Sequence, residues 1–159
     1  MDQLISYEPG ELILVARPGI RLTVLEEMLA KENQHLPFEP PHWGEAATLG
    51  GTVACNLSGP RRFRAGAARD FLLGLEMIDG HGQRLRAGGR VVKNVTGYDL
   101  CKVLCGSFGT LGVLTELCLK VWPRPETQKT MVWHRHDCDT AIDRMLDAVA
   151  SPCEVTALA

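Results

Sequence analysis

No stretch of this 159-residue chain approaches the ~20 consecutive apolar residues that cross a bilayer, so the sequence offers no membrane helix. Its acidic, proline-containing start has none of the make-up of a secretion signal. Without such a signal the glycosylation-like triplets at Asn56 and Asn94 carry no meaning. Charge of one sign is also scarce. A net charge of −2 supplies no general field for nucleic acid or acidic lipid, so any anion site must be local. The six cysteines (Cys55, Cys101, Cys105, Cys118, Cys138, Cys153) include no C-x-x-C pair. Cys101 and Cys105 would share a helix face, but two ligands are too few for zinc, and no run of iron–sulfur ligands occurs. Metal binding is therefore not expected, and a reducing cytoplasm is the expected compartment.

What remains is ordinary in bulk and unusual in one place. Hydrophobic residues make up 45% and charged residues 23%, which suits a globular domain able to bury roughly 70% of its extended surface. The unusual place is Ala46–Gly66, where the pair Gly50–Gly51 precedes a small-apolar run, Asn56, Gly59, and the basic group Arg61, Arg62 and Arg64. A glycine pair lets a ligand approach the backbone, and free N–H groups with nearby arginines suit phosphate. On these residues alone, a phosphate-contacting loop and a plain tight turn stand equally open.

Leu4–Glu8 and Leu12–Arg17 read as two strands about Pro9-Gly10. Thr23 and Glu26 form a capping-box pattern ahead of a helix over about Val24–Lys31, with Leu25, Met28 and Leu29 on one face. The three prolines of Leu36–Gly44 exclude regular structure there, and His42 is either a ligand contact or a surface group. Phe71–Asp79 and Gln83–Arg86 read as a hairpin about Asp79–Gly82, and Val91–Val95 as a further strand. Asp99 should cap a short helix over Leu100–Cys105 that Gly106 stops. Val113–Val121 alternates as a half-buried strand. Beyond Trp122-Pro123-Arg124-Pro125, strands are expected at Thr130–Trp133 and Val155–Leu158 around a helix at Thr140–Ala150, so the chain looks cut off within a βαβ-like unit.

Glycines at 106, 109 and 112 suggest a dinucleotide fingerprint, but the spacing is wrong and a strand follows where that fingerprint opens a helix. A glycine loop feeding a strand can still offer backbone N–H groups, with the Thr110 hydroxyl beside them.

Taken together, ATLGGTVACNLSG, RAGAARDFLLGLEMIDG and KNVTGYDLCKVLCGSFGTLGVLTELCLKVWPRP resemble the flavoprotein family of vanillyl-alcohol-oxidase or PCMH type, over about residues 1–125 in unbroken order. Within it the likeness is to the FAD-binding subunits of bacterial glycolate oxidase complexes. The resemblance implies an α+β fold: the second subdomain of a PCMH-type FAD-binding domain, a mostly antiparallel sheet with flanking helices. It also implies a cap domain starting near residue 126, and a pyrophosphate-cradling first subdomain that would precede this chain. Carried over, Pro40, Thr48, Gly50 and Gly51 would touch FAD. Asn56 and Gly59 would line the flavin side, and Gly109, Thr110, Gly112 and Val113 would hold the adenosine end. Lys93, Asn94 and Tyr98 become neighbours of the flavin ring. No side chain stands out as a catalytic base.

The implied activity is oxidation of a small 2-hydroxy acid, glycolate above all. Electrons would leave through an iron–sulfur subunit, alongside a homologous FAD-linked catalytic subunit, with membrane association only through that complex. Two alternatives stay open: an FAD subunit that carries electrons or structure without substrate chemistry, and a cofactor-free assembly piece.

Overall fold

The computed structural model describes residues 2–89, 99–134 and 137–159. The expected first strand pair forms as β1 (Leu4–Glu8) and β2 (Ile13–Ala16), antiparallel and joined by a single 3-10 turn at Pro9–Glu11. The hairpin at Asp79–Gly82 joins β4 (Leu72–Ile78) to β5 (Arg84–Gly88), with the Asp79 carboxylate accepting the N–H groups of His81 and Gln83. The alternating run near the end forms β6 (Val113–Lys120), which enters between the two pairs. One antiparallel sheet results, in the order β1-β2-β6-β4-β5.

Helix α1 (Leu22–Lys31) buries Leu22, Leu25 and Leu29 against the sheet's core face, where Leu14, Leu75, Leu117 and Leu119 are fully or nearly fully buried. Its expected capping box does not form. Arg21 takes the N-cap position, because Arg21 pairs with Thr48 and the Leu22 N–H donates to the Ala47 carbonyl at 2.9 Å. A tertiary contact, not the Thr23–Glu26 pattern, starts the helix.

The stiff Leu36–Gly44 stretch is irregular as expected, preceded by the short strand β3 (Gln34–His35). Phe38 is fully buried in it, with its ring centroid 5.9 Å from that of Phe71. Next comes the largest departure from expectation. The Gly50–Gly51 stretch is not a turn but the first turn of α2 (Leu49–Cys55), capped by the Thr48 hydroxyl, which accepts the Gly51 N–H at 3.2 Å. Leu49 and Val53 on its buried face supply packing that outweighs the ~1 kcal/mol per residue disfavouring glycine in helices.

Two single turns follow, α3 (Arg62–Ala65) and α4 (Ala68–Phe71). The short helix α5 (Leu100–Leu104) is capped by the Asp99 carboxylate as expected. A small apolar cluster of Ile13, Val15 and Cys118 with Leu73, all on the sheet's own strands, lies apart from the main core. Beside it Glu76, almost wholly buried, is gripped by Arg84 at 2.6 Å, Arg86 at 2.7 Å and the Thr115 hydroxyl at 3.1 Å. Those donors hold its carboxyl down to about 2.

After β6 the chain adds β7 (Trp122–Pro123), which pairs with β3 so that His35 faces Trp122 in register. Beyond it, the expected strands at Thr130–Trp133 and Val155–Leu158 are absent; both segments are irregular and largely exposed. No sheet edge among the described residues accepts them. The helix between them forms as α6 (Cys138–Ala150), capped by Asp137, with Ile142 and Leu146 exposed. Among the described residues no helix is long and apolar enough to cross a membrane. The expected strand at Val91–Val95 lies outside the described residues.

Candidate functional site

The two glycine stretches meet at the C-terminal end of α2. Asn56, in left-handed backbone with φ 51°, ends that helix. Gly106 N–H donates to the Val53 carbonyl at 3.1 Å and Phe108 N–H to the Ala54 carbonyl at 2.8 Å. Cys105 Sγ lies 3.2 Å from the Val53 carbonyl and 3.6 Å from Asn56 Oδ1. Burial pushes the Cys105 thiol up to about 11, so it acts here as a neutral packing group and not as a nucleophile. The Asn56 side chain also accepts the Arg69 N–H at 3.1 Å. Gly50, at the other end of a helix about 10 Å long, packs on Pro18 instead.

The expected phosphate-ready amides are engaged in the first stretch. Leu49, Gly50 and Gly51 donate to the Ile20 carbonyl (3.0 Å), the Pro18 carbonyl (2.7 Å) and the Thr48 hydroxyl. The physical expectation of free N–H groups at Gly50–Gly51 therefore fails there. The second stretch keeps it. Thr110 N–H and its hydroxyl both turn back to the Ser107 carbonyl, while the N–H groups of Gly109, Leu111 and Gly112 meet no acceptor among the described residues. Gly109, at φ 73°, has open space where a side chain would stand, and Val113 beside it is 61% exposed.

The glycines divide on the same line. A Cβ at Gly50 would meet Pro18, one at Gly59 the Glu39 carbonyl, and one at Gly112 the Ile78 carbonyl, so these three permit close packing inside the protein. Gly51 and Gly109 face outward. Pro40 lies on the wall of a cavity of about 380 Å³ that it shares with His35, His42, Arg61 and Arg124. Here His42 is tied to Glu26 at 3.1 Å. The side chain of Arg61, largely buried, reaches Glu39 at 3.7 Å and Gln128. His35 and Arg124 did not stand out in the sequence, being 89 positions apart. Lys93, Asn94 and Tyr98 lie outside the described residues.

Residues 1–88 match the family model for an FAD binding domain. The chain belongs to the FAD binding domain family. Among similar proteins, the glycolate oxidase subunit GlcE of Escherichia coli K12 is 52% identical over 128 residues, which are 80% of this chain and 37% of that one. The glycolate oxidase subunit GlcD of Bacillus subtilis is 34% identical over 152 residues, 95% of this chain and 32% of that one. A D-lactate dehydrogenase of Archaeoglobus fulgidus is 35% identical over 121 residues, 76% of this chain and 27% of its own length. The chain thus spans about a third of the length of these curated relatives. A solved alkyldihydroxyacetonephosphate synthase superposes with a TM-score of 0.66 at 28% identity, covering 80% of this chain and 22% of that one. The α+β fold with its antiparallel sheet is therefore that of the FAD binding domain family.

For this FAD binding domain the donor set suits a flavin nucleotide at one end of the site. Three amides without an acceptor among the described residues and a bare Cα at Gly109 form a surface on which a phosphate-bearing or planar group can settle against backbone. Gly51 supplies a second bare surface without free amides.

Proposed function

We propose that this chain is the FAD-contacting part of a flavoprotein subunit that oxidises a small 2-hydroxy acid, glycolate above all, within a multi-subunit complex. The observation that carries the reading is the open loop at Gly109–Gly112, whose amides at Gly109, Leu111 and Gly112 meet no acceptor among the described residues, inside a segment 52% identical to a glycolate oxidase subunit. In this reading Gly109, Thr110, Gly112 and Val113 hold the adenosine end. Asn56 and Gly59 line the flavin side, and Pro40, Thr48, Gly50 and Gly51 complete the contact. Gly50, Gly59 and Gly112 act by letting the protein's own backbone close up around the site, and Thr48 by fixing the start of α2. Bound FAD would supply the two-electron acceptor for substrate oxidation. Residues 1–125 form the FAD-binding part, and 126–159 begin a cap domain; the absence of any buried residue among the described positions of that segment supports the division. An iron–sulfur subunit takes the electrons onward, and a homologous FAD-linked subunit completes the complex.

A second reading keeps FAD but leaves substrate chemistry to that homologous subunit. It is favoured by the likeness of this one chain to two differently named glycolate oxidase subunits. The test is anaerobic mixing of the purified native protein with glycolate while flavin absorbance is followed. Bleaching is expected. A dithionite-reducible flavin that stays oxidised in glycolate would establish the second reading, and a protein purified without flavin that takes up none would overturn both.

A further inference from the structure

The cavity lined by Pro40 holds an uneven set of polar groups. Its two acids already have partners: Glu39 pairs with Arg61, and Glu26 bonds to the His42 ring. Arg124 has no carboxylate partner among the described residues. Its Nε–H donates to the Gln34 carbonyl at 3.2 Å, and its two terminal amino groups meet no acceptor among the described residues. Next to it the half-buried His35 ring forms no hydrogen bond among those residues either. Burial first, then the Arg61 and Arg124 guanidinium groups, push the His35 ring below its ordinary value, so it is neutral at physiological pH. A polar ring without a hydrogen-bond partner among the described residues, beside two guanidinium groups of which one has no carboxylate there, is an arrangement that an anion with a hydroxyl would complete.

We infer that this cavity binds a small 2-hydroxy acid, with Arg124 and Arg61 on the carboxylate and His35 on the 2-hydroxyl. The inference rests on the proposed 2-hydroxy-acid activity and adds to it a place and three residues. Planar guanidinium groups match a carboxylate edge, and a neutral imidazole can accept the hydroxyl hydrogen. The volume of about 380 Å³ lies at the small end of the range for small-molecule pockets, with room for a short acid and water. Glu26 and Glu39 in the same wall disfavour a second negative charge, which selects a monoanion over a phosphate dianion. The position also fits. The Glu39 carbonyl lies directly against Gly59, so the cavity shares a wall with the stretch proposed to line the flavin. The signal was absent from the sequence because β3–β7 pairing alone brings His35 to the segment carrying Arg124.

The test is calorimetric titration of the full chain with glycolate, acetate and inorganic phosphate. Glycolate should bind about tenfold more tightly than acetate, the worth of one added hydrogen bond, and phosphate more weakly than either. Arg124→Gln should weaken glycolate and acetate alike by at least about tenfold, with Arg124→Lys recovering part, and His35→Phe should erase only the preference for glycolate. Unchanged glycolate affinity in a folded Arg124→Gln chain, or phosphate as the tightest ligand, would overturn the assignment. Should the variants not fold, ring-nitrogen NMR of His35 in the unaltered chain decides. A shift on adding glycolate supports the site, and none at saturating glycolate overturns it. Flavin bleaching that survives Arg124→Gln with unchanged affinity would remove this site but leave the proposed activity. Glycolate bound here without flavin reduction would do the reverse.

Discussion

Gly50 and Gly51 are neighbours on one turn of α2, yet a side chain added to each would meet different surroundings. At Gly50 a Cβ would come within 2.5 Å of the Pro18 Cβ and 2.9 Å of its carbonyl oxygen; at Gly51 it would meet only the Thr48 hydroxyl, at 3.4 Å. Gly112 and Gly109 repeat the contrast in the second stretch. A Cβ at Gly112 would stand 2.5 Å from the Ile78 carbonyl oxygen, and one at Gly109 would meet nothing within 4 Å. Each stretch thus holds a glycine that lets the chain close on itself and another that leaves its surface bare. The first kind serves folding. The second kind faces open space; the φ of 73° at Gly109 itself favours glycine, so the bare Cα that the fold does not require is that of Gly51.

The sharpest way to break this division is Gly50→Val. The added carbons cannot be accommodated without parting α2 from Pro18, whose carbonyl holds the Gly50 N–H. A loss of about 3 kcal/mol is expected, a fall of roughly 10 °C in Tm by calorimetry or circular dichroism. A variant melting with the parent would show that α2 and Pro18 are not in contact.

The same helix shows where sequence reading succeeds and where it stops. Strands β1, β2, β4 and β6 and the Asp99 cap were legible, because alternation and turn residues act locally. Helix α2 was not. Two glycines argue against a helix, and only buried Leu49 and Val53, with Thr48 as cap, reverse that preference. The strands expected at Thr130–Trp133 and Val155–Leu158 had suitable residues but found no edge to join among the described elements. In the site, the glycine positions were visible, whereas which amides stay free was not. That depended on Pro18 and Ile20, some 30 positions earlier, reaching the start of α2. Arg61 stood out as part of a basic cluster, but Arg124 and His35 join it only through strand pairing.

A graded pair tests the second stretch. Gly112→Ala sets its methyl against the Ile78 carbonyl and the end of Met77, and should cost about 2 kcal/mol. Gly109→Ala meets no atoms, but holds alanine at φ 73°, which should cost about 1 kcal/mol. Thermal melts should therefore rank Gly112→Ala below Gly109→Ala. The reverse order would mean that steric closeness at the β4–β6 end is not what requires glycine there.

The smallest effect on stability is the most informative about function. Gly51 sits inside the first turn of α2 with an ordinary contact awaiting a methyl group, so Gly51→Ala should be stabilising by about 0.5 kcal/mol through the restricted unfolded chain. Tm should rise by roughly 1–2 °C. If the bare Cα is kept for a flavin, the same change should lower FAD occupancy of the purified protein, read as the ratio of flavin to protein absorbance. A rise in stability with a fall in bound flavin separates a surface held for a ligand from one held for the fold, since no packing defect produces both. A rise in stability with full flavin content would move the close approach away from α2 and leave the Gly109–Gly112 loop as the remaining backbone surface for the cofactor.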